Sequence, residues 1–165
     1  MTFIHLHLHS QFSLLDGAIK YEGLIERCHR YHMNSVAVTD HGNLFGAIQF
    51  YNIARKKGLK PIIGCEIYVA KESRHKKAGG GDQSNHLVLL AENLDGYHNL
   101  SRLVSYGYLE GFYYKPRIDK ELLSQYSGGL IALSACLKGA VPQKFLMEQP
   151  DAALAEAMEL RDIFG

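Results

Sequence analysis

The sequence predicts an α/β fold, on two observations. Short β-rich apolar runs alternate along the chain with stretches whose apolar residues recur at helical spacing. The 165 residues, 47% hydrophobic and 21% charged, suffice for one soluble domain (1–165) with a substantial core.

Residues 3–8 alternate in character and read as a first strand. Residues 21–31 follow as a helix, with Leu24, Cys28 and Tyr31 on one face. Residues 35–39 read as a short buried strand. The helix predicted over 47–57 stops at Gly58 and carries Lys56 and Lys57 in its last turn, where cations complement the helix dipole. Residues 61–70 form a third strand region. The stretch 71–85 is rich in Lys, Gly and Ser around Gly79, Gly80 and Gly81, which predicts a mobile loop. A fourth strand is expected at 87–91, a helix at 96–109 and a short helix within 118–126. A fifth strand at 130–134 precedes helices near 141–147 and 152–164. Strands alternating with helices imply right-handed crossovers and a parallel sheet. Five strands are too few to close an eight-stranded barrel, and the chain stops after a helix at Gly165, so truncation is expected.

Composition narrows the function. Three scattered cysteines, Cys28, Cys65 and Cys136, do not form a secreted disulfide framework. No apolar run approaches the ~20 residues of a membrane helix, and no leader-like segment precedes the first strand. No membrane association and a cytoplasmic location are therefore expected. A net charge of +1 gives the domain no overall electrostatic footprint for nucleic acid. The unusual residue is histidine, with nine copies.

Three of the nine, His5, His7 and His9, alternate along the first predicted strand and so share a face. Buried imidazoles need partners, and histidines at i and i+2 bind one cation or two neighbouring ones. His5, deeper in the strand, is expected to support the other two. Asp16-Gly17 has ordinary turn chemistry when taken alone. His41 follows the second strand, at the end where α/β folds place ligands and catalytic groups. Its neighbour Asp40 either orients an imidazole or serves as a cap. Glu66 is a carboxylate in an apolar stretch with Ile62, Ile63 and Ile67, so it needs a cation, whether a metal or a basic side chain. His86 and Cys136 flank the fourth and fifth strands. Each residue is a weak signal by itself. Together they bring imidazole, carboxylate and thiol to several strands of one sheet. Such a set suits Zn, Mn or Fe better than Mg or Ca. A multi-metal site of this kind holds phosphate and activates water.

A series of motifs carries a more specific resemblance. It runs from Phe3-Ile4-His5-Leu6-His7-Leu8-His9-Ser10 through Ser13-Leu14-Leu15-Asp16-Gly17, Thr39-Asp40-His41-Gly42-Asn43 and Lys60-Pro61-Ile62-Ile63-Gly64-Cys65-Glu66. It continues with His86-Leu87-Val88-Leu89-Leu90-Ala91, Gly111-Phe112-Tyr113-Tyr114-Lys115-Pro116-Arg117-Ile118-Asp119 and Ser134-Ala135-Cys136. In this order the motifs resemble the PHP (polymerase and histidinol phosphatase) domain at the start of DnaE-type replicative DNA polymerases. The resemblance covers nearly the whole chain.

The resemblance implies a distorted (β/α)7, TIM-like barrel of PHP type, here incomplete at the C-terminal side, with up to three divalent ions, Zn or Mn, in a cleft. Carried over by position, the metal ligands are His7, His9, Asp16, His41, Glu66, His86 and Cys136. Asp16, His41 and Arg117 become the candidate catalytic residues, and Lys115 joins Arg117 in meeting a phosphate or bracing the cleft. The family's later Asp-x-His pair has no counterpart after Cys136. The implied activity is metal-dependent phosphoester hydrolysis, as a 3′–5′ proofreading exonuclease within a polymerase. Two alternatives are a structural module that braces the polymerase or binds a separate proofreading subunit, and a free-standing phosphatase like those acting on histidinol phosphate. The expected partners are DNA, the remainder of the polymerase chain, and other replicase subunits such as the proofreading subunit and the clamp. An unpaired sheet edge also suggests self-association.

Overall fold

The computed structural model describes residues 3–77 and 84–165. The elements are α1 (Tyr21–Arg30), β1 (Ser35–Val38), α2 (Ala47–Lys56), β2 (Lys60–Ala70), β3 (Ser84–Ala91) and α3 (Leu94–Leu109). They continue with β4 (Arg117–Ile118), α4 (Lys120–Gln125), β5 (Leu130–Leu133), α5 (Ala140–Leu146) and α6 (Pro150–Phe164).

The sheet runs β1-β2-β3-β5, with the short β4 also paired to β2. At 11 residues, β2 is long enough to carry β1 at its start, where Ser35 lies opposite Lys60, and β4 at its end, where Tyr68 lies opposite Arg117. Both of those pairings are parallel, whereas β2–β3 and β3–β5 are antiparallel. The expectation of a parallel sheet is thus corrected to a mixed one. No helix lies among the described residues between β2 and β3, and without a crossover helix the chain returns antiparallel.

Alternation along β2 divides its side chains between two faces. Cys65, Ile67 and Val69 join Leu87 and Leu89 of β3 against Leu100 and Leu103 of α3 and Leu122 and Leu123 of α4. Beside them Val36 and Val38 of β1 pack on Tyr21 and Ile25 of α1 and Phe50 of α2. Burying each such side chain contributes about 1.5–3 kcal/mol. Helices therefore cover one face of the sheet. Glu66 and Tyr68 point to the other.

Residues 3–8 do not form the predicted strand. Ala37 N donates to His5 O and Thr39 N to Leu8 O, so a two-residue advance along β1 meets a three-residue advance on the facing segment. The extra residue breaks the period-two alternation, as in a bulge, and the chain bends at Leu6 and His7. The loop expected over 71–85 is shorter, because β3 starts at Ser84. Its described part is anchored. Arg74 binds Glu110 at 2.7 Å and Asp119 at 2.9 Å, and Asp119 also caps α4 through Leu122 N. The Gly79-Gly80-Gly81 centre lies outside the described residues.

Candidate metal centre

Glu66 is 1% exposed, and four imidazoles from three separate stretches of the chain surround its carboxylate. His7 Nε2 lies 2.7 Å from Glu66 Oε2, and His9 Nε2 lies 2.6 Å from the same oxygen. His86 Nδ1 hydrogen-bonds the other oxygen. His41 Nδ1 is 3.5 Å from Oε2. Asp16 completes the set, with Oδ2 3.1 Å from His41 Nε2 and 3.7 Å from His9 Nδ1.

Register explains the convergence. Tyr68 on β2 lies opposite His86 on β3, so the His86 ring shares the face of Glu66 and Tyr68. His41 forms a lone bridge to Glu66 just beyond β1, and Gly42 N donates to Glu66 O at 2.9 Å. Gly42 has φ +61°, and a Cβ there would sit 2.8 Å from Pro116 Cγ, so only glycine suits this turn.

Among the described residues, three groups of ligand atoms each lie within 4.8 Å of one another: His7, His9 and Glu66; His9, Asp16 and His41; His41, Glu66 and His86. The chemistry of these donors fits a cation. The Nε2 atoms of His7 and His9 approach to 3.2 Å, and a neutral imidazole carries only one N–H to share among such neighbours. The buried His41 Nδ1 has no hydrogen-bond partner. An unpaired ring nitrogen beside a carboxylate is what a divalent ion would satisfy.

The electrostatics follow from burial and contact. Burial alone would raise the Glu66 carboxyl, but hydrogen bonds from His7, His86 and His9 outweigh it and hold the group well below the usual carboxylate range. The hydrogen bond to Glu66 raises His9. Burial lowers His41.

Asp40 neither orients an imidazole nor caps a helix. Its carboxylate accepts from Ser10 N at 2.6 Å, Ser10 Oγ at 2.7 Å and Ser13 Oγ at 2.7 Å. Ser13 Oγ in turn accepts from His41 N at 3.1 Å. The loop carrying His9 and Asp16 is thereby tied to the residue beside His41. Gly17 closes it, because a Cβ there would fall 1.8 Å from Ser10 O. Ser10 and Ser13 are buried, and sequence reading passed over both, since isolated serines in a loop carry no periodic signal.

Not every expected residue reaches the cluster. His5 is exposed, with its ring against Phe3, because the bulge turns it away from His7 and His9. Cys136 is exposed on the loop after β5 and belongs to none of the three groups. Arg117, expected to be catalytic, is 3% exposed and donates to the backbone carbonyls of Gly111, Arg74 and Lys76. On β4 its side chain braces two loops, and no salt bridge holds it among the described residues. Lys115 does reach the cleft, with Nζ 4.4 Å from the Tyr68 ring centre. Tyr68 itself stacks on His41, with the ring planes 10° apart.

Comparison with known proteins adds the ancestry. Residues 5–165 match the PHP domain family. The chain is 52% identical over 165 residues to a DNA polymerase III subunit alpha of Borreliella burgdorferi, covering 99% of this chain and 14% of that protein. It is 51% identical over 170 residues to a DNA polymerase III subunit alpha of Thermus aquaticus, covering 100% of this chain and 14% of that one. The chain thus spans about a seventh of the length of these curated relatives. A solved structure from Bifidobacterium adolescentis, described as a metal-dependent phosphoesterase, is 21% identical with a TM-score of 0.46, over 63% of this chain and 32% of that one.

Proposed function

Starting from the fact that this chain belongs to the PHP domain family, we propose that it is the metal-dependent phosphoesterase domain of a bacterial replicative DNA polymerase, acting as a 3′–5′ proofreading exonuclease in the intact protein. The observation that carries this reading is the convergence of His7, His9, His41 and His86 on the buried Glu66, with Asp16 alongside. The three donor groups would hold up to three divalent ions, Zn or Mn. Such ions supply Lewis-acid polarisation of a phosphoryl group and a water of lowered pKa.

The chain's own residues do the rest. Glu66 stays ionised at the centre and binds the groups together. Asp40 holds the His9–Asp16 loop against His41. Asp16, with a side chain 53% exposed, is the accessible carboxylate of the set and is placed to accept a proton at its Oδ atoms.

Helices on one sheet face and the site on the other support reading the domain as part of a distorted (β/α)7 barrel, in which the antiparallel β3 is a departure from the parallel pattern. DNA and the remainder of the polymerase chain are the proposed partners. A proofreading subunit and a clamp would be reached through the full-length protein, in the cytoplasm.

Elemental analysis after Zn or Mn loading, with a His7→Ala/His9→Ala control, tests the site. A mismatched 3′ end offered to the full-length protein tests the activity. Absence of bound metal, or of nucleotide release with contaminating nuclease excluded, would overturn the reading. One feature favours a second reading, in which the ions brace the fold: the cluster ties the N-terminal segment to β2 and β3, so metal binding couples to folding. In that case His7→Ala lowers the melting temperature and polymerase activity together, with no separable nuclease defect.

A further inference from the structure

The cleft over the cluster has walls that phosphoester chemistry alone does not require. It encloses about 390 Å³, within the range of small-ligand clefts, and is lined by His41 and His86 together with Phe45, Tyr114 and Lys138. Phe45 and Tyr114 are 66% and 63% exposed, so both rings are open to a ligand entering the cleft. Lys138 lines the same cleft, and its backbone carbonyl accepts from His86 N, which holds its backbone next to the cluster.

Tyr114 is held there against its own backbone preference. Its φ is +60°, a left-handed conformation that is costly for a residue with a side chain. The turn that imposes it is closed by a hydrogen bond from Tyr113 N to Lys115 O at 3.1 Å. The Tyr113 ring meets Tyr114 edge-on, 4.7 Å between centres and 77° between planes. The Arg117 guanidinium lies 5.1 Å from the Tyr113 ring centre, and carbonyls on both sides hold it. A buried arginine therefore supports one tyrosine, which supports a second, exposed one at the edge of a metal-ligating cleft.

We propose that Tyr114 is a stacking platform for an aromatic base, so that the cleft selects a nucleotidyl group over an alkyl or sugar phosphate, with Lys138 as the cation beside the phosphate. This rests on the phosphoesterase reading for the direction in which the phosphate points. Stacking tolerates any base, because every base offers a π-face, and it requires no sequence-specific hydrogen bonds.

The test is photochemical crosslinking of the full-length protein to a single-stranded oligodeoxynucleotide ending in 5-iodouracil, with the adduct mapped by mass spectrometry. The expected adduct lies on Tyr114. It falls at least about tenfold in Tyr114→Ala and survives in Tyr114→Phe, which keeps the ring. A base-bearing competitor suppresses it, while an abasic competitor of equal length does not. Adducts that map only outside segment 111–117, no adduct at all, or equal suppression by the abasic strand would overturn the platform. Phosphoester cleavage is measured separately on the same preparations. Absence of cleavage with the Tyr114 adduct present sinks the phosphoesterase reading and leaves the platform standing; cleavage without the adduct does the reverse.

Discussion

His9 Nε2 and Glu66 Oε2 lie 2.6 Å apart, although 57 residues separate them in the sequence. The same oxygen is 2.7 Å from His7 Nε2, so one carboxylate atom holds two imidazoles in place. The site depends on that single buried side chain more than on any one histidine.

Replacing the charge while keeping the shape is therefore the sharpest test. Glu66→Gln is expected to weaken Zn or Mn binding by more than about tenfold, as judged by isothermal titration. The His9 ring, which the hydrogen bond to Glu66 raises, should fall back toward its ordinary pKa in an NMR titration. Unchanged affinity would show that the ions sit elsewhere.

Asp40 organises the loop that carries His9 and Asp16. Asp40→Asn replaces one acceptor oxygen with an amide N–H facing Ser10 Oγ and removes the charge that Ser10 and Ser13 hydrogen-bond. We expect a loss of about 1–3 kcal/mol in urea unfolding, together with weaker metal binding. A destabilised variant that still binds metal normally would separate the loop's stability from the geometry of the site.

Tyr21 predicts an alkaline limit. Burial pushes its hydroxyl up to about 12, partly offset by the hydrogen bond to Ser10. Folding thus favours the neutral phenol. That contribution is fully present below the ordinary value of 10.0 and is lost as pH rises through the folded value. Between pH 9 and 12 the wild type should lose about 2 kcal/mol more stability than Tyr21→Phe, measured by urea unfolding at each pH. Parallel losses in the two proteins would refute the assignment.

Arg74 should anchor its segment against proteolysis. Arg74→Ala strands Asp119, whose side chain is 6% exposed, and removes the bond to Glu110. A destabilisation of about 2–4 kcal/mol is expected, with faster cleavage within 71–77. Wild-type cleavage kinetics would mean that the ion pairs do not order the segment.

How much of this was legible in the sequence differs between residues. The α/β class, most of the helices, and the six residues that the structure gathers (His7, His9, Asp16, His41, Glu66 and His86) were readable, because periodicity and chemically conspicuous residues are local properties. His7, His9, His41 and His86 announced themselves by being imidazoles at the ends or edges of apolar runs. Ser10 and Ser13 did not, because a serine's hydrogen bond to a distant carboxylate leaves no trace in its neighbours.

The sequence by itself determined which side chains are available to hold a metal and in what order they occur. Only the tertiary structure decided that β3 runs antiparallel to β2, and that a bulge turns His5 away from His7 and His9. It also buried Arg117 against the backbone carbonyls of Gly111, Arg74 and Lys76, and left Cys136 outside the donor groups. The physical reason is the range of the interactions. Helical and strand periods are set by neighbours a few residues apart. Strand direction, register and the convergence of imidazoles on Glu66 are set by hydrogen bonds between segments 20 to 59 residues apart, which no local pattern encodes.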